Sequence, residues 1–384
     1  MLKVIHKYLK NIIIIILAFL IVFYYVLPSS LAILLSCAVI LISIKRIKSF
    51  VPVIWYGVFF IYVLLVSLLR DTSMIYVSSC ANVLLILISV SLVVQGISER
   101  AIFLKATSIF GGVLCIFLYT RYYMYIGVGR FGEELPGTNI QSSILLGYIL
   151  LYISSIQIWS FFHSKTWWYK LLYLSLFVFS LWLTFFTGTR KALLLPILFC
   201  LFILIINYKK NKFKLIIILS IVGILLCFAG NYLANSDYMS TEQMERWVGI
   251  LGFFNDDIAK DASSEERTYL LKQGLYLFSQ NPLFGYGIDA TLKELSKHPH
   301  NNYVSLLSYG GIILFLLYYW IYIYVLLGFQ KKLRSDYSLY ILGTIVILLS
   351  DMGTTSFNIM YFSVCISLLF VPTSSCANQH NLIR

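Results

Sequence analysis

The sequence predicts an all-α polytopic membrane protein with about twelve transmembrane helices. Of its 384 residues, 60% are apolar and only 12% are charged, whereas soluble domains carry about 25% charged residues. The mean hydropathy is +0.87. The apolar residues also lie in long charge-free runs, and such runs are helical in lipid because each segment must satisfy its own backbone polar groups.

Each run is long enough to cross or nearly cross a bilayer. Eleven runs contain no charged residue: 11–27, 29–44, 51–69, 74–94, 139–162, 171–187, 192–207, 215–236, 303–329, 337–350 and 352–371. A twelfth, 102–127, contains Lys105 and Arg121 near its ends. Twelve spans of about 20 residues account for about 240 residues. The first run lacks a small-residue cleavage site, so we expect a retained helix.

The Lys and Arg residues set the predicted orientation. With the N-terminus inside, the inner segments hold 18 of the 29 cations and two of the 16 anions, a net charge of +16. The outer segments then carry a net charge of −3. This bias predicts cytoplasmic termini. The chain divides into nine helices over 1–234, an outer loop over 235–301, and the last three helices with a cytoplasmic tail over 302–384.

Composition also bears on partners. The formal net charge of +13 would suggest nucleic acid in a soluble protein, but here it is explained by the inner loops, so we expect a lipid bilayer and no nucleic acid. The seven cysteines are scattered and form no CxxC pair, so neither a disulfide framework nor a zinc site is indicated.

The turn before the 192–207 run is a candidate anion site. Arg190 and Lys191 follow a Thr-Gly-Thr turn and directly precede an apolar helix. A Gly-containing turn that opens a helix leaves free N–H groups, which favour phosphate. The alternative is an interfacial Arg whose charged end reaches water beside the membrane.

The outer loop contains a predicted amphipathic helix over 264–279. Ser263 and Glu266 fit a capping box, and the helix stops before Asn281-Pro282. Arg267 lies on the apolar side of this helix, which suggests an anionic partner. A surface ion pair is the open alternative.

A His-Pro-His-Asn-Asn segment leads into the 303–329 run. His300 therefore lies at the head of a long helix, where the partial positive charge favours a neutral imidazole that can act as a general base. Asn301 or the next Asn is a plausible N-cap, and an interfacial or capping role for His300 is the alternative. His298 and His300 are a poor metal pair, because the nearby acids show no ligand spacing.

Four segments resemble the O-antigen ligase/polymerase family of bacterial membrane proteins, the Wzy and WaaL type. They are 187–194 (Thr-Gly-Thr-Arg-Lys-Ala-Leu-Leu), Glu266-Arg267 with 281–287 (Asn-Pro-Leu-Phe-Gly-Tyr-Gly), 298–311 from His-Pro-His-Asn-Asn-Tyr to Gly-Gly, and, more weakly, 129–139 with its Arg and Asn. Their order, spacing and common outer placement carry the likeness.

The resemblance implies a GT-C-like fold and glycosyl transfer at the outer face of the inner membrane. The donor would be an oligosaccharide on undecaprenyl pyrophosphate, and a second such molecule would be the acceptor. Arg190 and Arg267 would bind the pyrophosphate, and His300 would be the base. Arg130, Asn139, Lys191, His298 and Asn301 would contact substrate. No metal or other cofactor is expected, and a chain-length regulator is a partner that the family suggests.

Three functions stay open at this point. The motifs are shared by repeat-unit polymerases, which build O-antigen or capsule, and by ligases that pass the glycan to lipid A core. We favour a polymerase, because polymerases diverge widely and this chain matches only the sparse shared pattern. A flippase or exporter of lipid-linked sugars is less favoured, since the charged candidates gather at one face and not at the midplane.

Overall fold

A computed structural model describes most of the chain as α-helices. No strand occurs in the part of the chain that it describes. The described residues are 2–43, 51–69, 74–126, 129–133, 135–140, 142–208, 262–328, 337–353 and 355–370. The predicted span 215–236, the first part of the outer loop and the tail from 371 lie outside these residues.

Thirteen α-helices are described within those ranges. They are α1 (Leu2–Phe23), α2 (Ser29–Ser43), α3 (Val51–Leu69), α4 (Met74–Val93), α5 (Ile97–Tyr122), α6 (Ser143–His163), α7 (Trp167–Phe186), α8 (Arg190–Tyr208), α9 (Ala262–Gln280), α10 (Ile288–Leu295), α11 (Asn302–Gly328), α12 (Tyr337–Asp351) and α13 (Met360–Leu369). A short 3₁₀ turn, Tyr123–Tyr125, follows α5.

Each apolar run that the structure describes contains a helix. Six of the described helices are long and apolar enough to cross a membrane, namely Val51–Leu69, Met74–Val93, Ile97–Tyr125, Ser143–His163, Trp167–Phe186 and Asn302–Leu327. The chain is therefore a multi-pass helical membrane protein. The total of about twelve spans, the GT-C-like arrangement and the division at 234 and 301 stay predictions.

Two predicted elements differ in their bounds. Among the described residues of the run 352–371, the helix covers only Met360–Leu369, which is about 15 Å of helix, half of a bilayer's hydrocarbon core. Residues before it are not helical because backbone groups of Ser356 and Phe357 bond a side chain of α11. The outer-loop helix begins at Ala262, so Ser263 lies inside its first turn and is not the residue that precedes it.

The helices form two compact units. Unit 1 comprises Met1–Ile21, Ser30–Phe103 and Ala262–Arg384, and unit 2 comprises Val22–Ser29 and Leu104–Asp261. In unit 1, α3 packs against α4 and α11, and α9 packs against α11. In unit 2, α6 packs against both α7 and α8.

Aromatic side chains fix α3 against α11 in unit 1. The Trp55 indole N–H donates to the carbonyl of Tyr318 at 2.8 Å. The Tyr56 hydroxyl donates to the carbonyl of Phe357 at 2.6 Å. Both side chains are fully buried. Since buried aromatic hydroxyl and indole groups need partners, these bonds specify which face of α3 meets α11 and the segment that precedes α13.

Small polar side chains join the helices of unit 2. The hydroxyls of Ser108 and Ser160 are 2.7 Å apart, and Ser180 donates to the Gln157 side chain at 2.8 Å. All four residues are buried. In an apolar solvent such bonds select the helix pairing, because the alternative leaves a polar group unsatisfied.

Candidate active site

The turn between α7 and α8 is held rigidly. Gly188 has a φ of +65°, which favours glycine. The Thr187 hydroxyl donates to the Thr184 carbonyl at 2.7 Å and accepts from the Thr189 N–H at 3.2 Å. Arg190 is the first residue of α8. The turn therefore presents Arg190 and Lys191, both partly exposed, at a helix N-terminus whose dipole favours anions.

Arg130 lies at the same end of unit 2. The N–H of Phe131 donates to the carbonyl of Phe186, the last residue of α7, at 2.9 Å. Arg130 also pairs with Glu133 at 3.3 Å. The backbone bond places Arg130 near the turn that carries Arg190, and a common role of the two residues in substrate binding stays a prediction.

Asn139 has a different setting. Its side-chain amide donates to the Leu27 carbonyl at 3.0 Å, and its backbone N–H donates to the Tyr25 carbonyl at 2.7 Å. These bonds hold the connection between α1 and α2. The structure thus supplies a structural role for Asn139, and its predicted substrate contact stays a prediction.

Helix α9 packs on α11 through one narrow stripe. Leu270, Gly274 and Leu277 are buried, at the spacing expected for one helix face. A Cβ at Gly274 would lie 2.6 Å from a side-chain methyl of Val304 in α11, so a larger residue at 274 would force Val304 or α9 to shift. Arg267 is exposed one turn before the stripe.

A salt bridge ties α9 to the segment that carries the histidines. Lys297 pairs with Glu266 at 2.5 Å. This bond, together with the nearby charges of His300 and Arg267, lowers the pKa of Glu266. Glu266 therefore stays ionised, and it lies within electrostatic reach of both predicted catalytic groups of unit 1.

The 281–287 loop docks into a break in α11. Gly311 has a φ of 68° and a ψ of −166°, which interrupts the helix. Three backbone hydrogen bonds then cross between the loop and the break: Ile312 N–H to Pro282 O (2.9 Å), Tyr286 N–H to Ser308 O (2.7 Å) and Gly287 N–H to Tyr309 O (2.9 Å). The Asn-Pro-Leu-Phe-Gly-Tyr-Gly segment and the later Gly-Gly pair are thus one structural element.

Two glycines make this docking possible. A Cβ at Gly285 would lie 2.5 Å from the backbone N of Gly310, and a Cβ at Gly311 would lie 2.2 Å from the Leu283 carbonyl oxygen. Real Cβ atoms do not approach backbone so closely. Because the loop joins α9 to α10, its docking sets the axial position of α9 along α11.

His300 lies in a strained turn at the head of α11. Its φ is 54°, and that of Ser296 is 60°, a conformation that costs a non-glycine residue about 1–3 kcal/mol and that persists only where its surroundings enforce it. Asn301 caps the helix, since its side chain accepts from the N–H of Val304 at 3.2 Å. The prediction of an Asn cap is confirmed, with Asn301 in that role.

Sequence reasoning missed a buried polar network directly behind this cap. Asn302 accepts from the N–H groups of Ser356 and Phe357 at 3.0 and 3.2 Å. Asp351 accepts from the hydroxyls of Tyr319, at 2.7 Å, and Ser356. Asn302 and Asp351 are fully buried. The available signal was an acid inside an otherwise apolar stretch, which in a membrane protein indicates a functional or organising residue.

The predicted site residues therefore form two sets. Arg130, Asn139, Arg190 and Lys191 belong to unit 2, and Arg267, His298, His300 and Asn301 belong to unit 1. Within the described residues, no cluster of three or more His, Cys, Asp or Glu side chains has a geometry suited to a metal ion.

The fold and these sets define a multi-pass helical membrane protein with cationic groups at helix starts. Residues 175–319 match the family model described as O-antigen ligase. This region runs from within α7 into α11, and over it the chain is similar to the O-antigen ligase family. No curated protein matches the chain.

Proposed function

We propose that this protein polymerises lipid-linked oligosaccharide repeat units at the outer face of the bacterial inner membrane. One observation carries the proposal. The 175–319 region that matches the O-antigen ligase family contains Arg190, Arg267 and His300. Arg190 opens α8, Arg267 lies in the first two turns of α9, and His300 lies two residues before α11.

The reaction is an inverting glycosyl transfer. A sugar hydroxyl of one lipid-linked unit attacks the anomeric carbon of another, on the face opposite the pyrophosphate. The new C–O bond forms as the bond to the pyrophosphate oxygen breaks, and undecaprenyl pyrophosphate leaves with the bonding electrons. His300 accepts the proton of the attacking hydroxyl. The donor is already activated, so a nucleotide sugar is not required.

Arginine suits the leaving group. A guanidinium binds two oxygens at once and stays protonated at all relevant pH values. Arg190 and Arg267 would neutralise charge that grows on the pyrophosphate as the glycosidic bond breaks. Arg130 and Lys191 would bind the same anion, and Asn139 and Asn301 would contact the glycan.

The test is a gel of surface polysaccharide from a strain that lacks this gene. We expect the ladder to collapse to core carrying a single repeat unit. The wild-type gene should restore the ladder and His300→Ala should not. His163→Ala is the matched control, because His163 is exposed at the end of α6. A full ladder with His300→Ala at normal membrane abundance would refute the base assignment.

A ligase of the same family is equally consistent with the match to residues 175–319. The same gel separates the two functions. Loss of every repeat unit from the core, with long polymer retained on undecaprenyl pyrophosphate, would identify a ligase. Lipid-linked single units confined to the inner leaflet would identify a flippase and would exclude both transferases.

A further inference from the structure

The His298 side chain is held on both sides by tyrosines. Its Nε2 lies 3.1 Å from the Tyr76 hydroxyl, at the start of α4. Its Nδ1 lies 2.6 Å from the Tyr309 hydroxyl, two turns into α11. Both rings also meet His298 edge-on, with centroids 5.7 and 6.2 Å away. The imidazole thus joins two transmembrane helices to the outer segment 296–301.

The neutral imidazole is the form that suits this position. Burial, aided by the charge of His300, lowers the pKa of His298. A neutral imidazole donates from one ring nitrogen and accepts at the other. One tyrosine hydroxyl can then accept and the other can donate, so all three side chains are satisfied together.

The other neighbours of His300 are fixed as well. Pro299 is buried and lies 3.4 Å from the position of a Cβ at Gly274 in α9. Asn301 caps α11. Lys297 pairs with Glu266. The left-handed backbone of His300 is therefore enforced from both directions along the chain.

We propose that His298 is a positioning residue, which holds the turn that carries His300 through its bonds to Tyr76 and Tyr309. This role rests on the proposed function, in which His300 takes the acceptor's proton. It replaces the substrate contact that the sequence suggested for His298. A base must lie within hydrogen-bond reach of the hydroxyl it deprotonates. The contacts of His298 with Tyr76 and Tyr309 fix the backbone two residues before His300, and they thereby hold His300 in position.

The first experiment separates positioning from substrate binding. Transfer is measured in nanodiscs with lipid-linked repeat unit extracted from the deletion strain. We expect His298→Leu to lower kcat by about 10- to 100-fold, the size of effect that displacement of a catalytic group produces, with KM nearly unchanged. His298→Gln, which keeps a donor and an acceptor, should recover part of the rate. A raised KM with normal kcat, or no change in either, would overturn the proposal.

Single-hydroxyl variants cover the case in which His298→Leu does not fold. Tyr309→Phe and Tyr76→Phe each remove one bond and keep the ring. We expect both to lower kcat without changing KM. Tyr269→Phe, at an exposed tyrosine of α9, is the matched control. Wild-type kcat in both test variants would contradict the role of the tyrosines.

Hydrogen–deuterium exchange distinguishes failure of this proposal from failure of the proposed function. In the full-length protein, amides of the 296–305 peptide should exchange faster in His298→Leu, while His163→Leu should match the wild type. Unchanged exchange in His298→Leu would show that His298 does not hold the turn. Faster exchange combined with full activity in His300→Ala would keep the positioning role and remove His300 as the base.

Discussion

The break in α11 yields the sharpest stability prediction, which concerns Gly311→Ala. The backbone of Gly311, with φ 68° and ψ −166°, is in a region that is essentially restricted to glycine and costs other residues about 1–3 kcal/mol. The new Cβ would also lie 2.2 Å from the carbonyl oxygen of Leu283. Because that oxygen is backbone, the 281–287 loop must move, which adds about 1–3 kcal/mol.

These two terms place the loss between about 2 and 6 kcal/mol. The assay is thermal unfolding of the purified full-length protein in detergent, and for a chain of 384 residues this loss corresponds to a fall in Tm of about 2 to 7 °C. Glycan transfer should fall too, since the loop sets the position of α9 on α11.

The matched control is Gly57→Ala. Gly57 lies inside α3, and a Cβ there would have no atom within 4 Å. Alanine is favoured over glycine in a helix interior by about 1 kcal/mol, so we expect a Tm equal to or above that of the wild type. If Gly311→Ala and Gly57→Ala unfold at the same temperature, the docking of the 281–287 loop is wrong.

Three further predictions follow from the site. Arg190→Lys keeps the charge but loses the bidentate fork, so kcat/KM should fall about 10- to 100-fold. A wild-type kcat/KM would mean that Arg190 is an interfacial charge and does not bind the pyrophosphate. Asp351→Asn places an amide N–H₂ donor against hydroxyl donors, so the free energy of unfolding should fall by about 1–3 kcal/mol. Glu265→Gln, at an exposed residue, should leave the Tm unchanged. Equal Tm values for the two variants would contradict the buried network. Burial and the charge of His300 hold the pKa of His298 below its ordinary value. As the pH falls, His298 is therefore protonated in the unfolded chain before it is protonated in the folded protein. The free energy of unfolding is at its full value above about pH 6.5 and decreases as the pH falls toward the pKa of His298 in the folded protein. A His298→Gln variant should lose less Tm between about pH 7.5 and 5, and identical profiles would refute the assignment.

Much of the helical architecture was predictable because it depends on local hydropathy. Charge-free runs as long as 51–69 and 74–94 coincide with helices α3 and α4 to within a residue. The failure at 352–371 has a tertiary cause. Residues 352–359 carry no charged side chain, yet Asn302 takes up the backbone N–H groups of Ser356 and Phe357, and the absence of charge does not reveal that competition.

In the candidate site, too, some features were predictable from the sequence and others depend on tertiary contacts. The Thr-Gly-Thr-Arg turn and the Asn cap before α11 were predictable, because turn and cap chemistry is local. The partners of His298 were not, since Tyr76 is more than 200 residues away along the chain and is one of 29 tyrosines. Asp351 was visible only as a charge at the end of a run, and its partners Asn302 and Tyr319 come from distant positions in the sequence.

Hydropathy along the sequence is enough to predict a multi-pass helical membrane protein, and the motifs indicate the family that the match to residues 175–319 supports. Hydropathy and cap residues act over one or two helical turns, so they can be read along the chain. By contrast, the docking of the 281–287 loop into the broken α11 and the two tyrosines that hold His298 emerge only from the packed helices. Such contacts depend on which helix faces meet, and that is selected by packing over the whole unit.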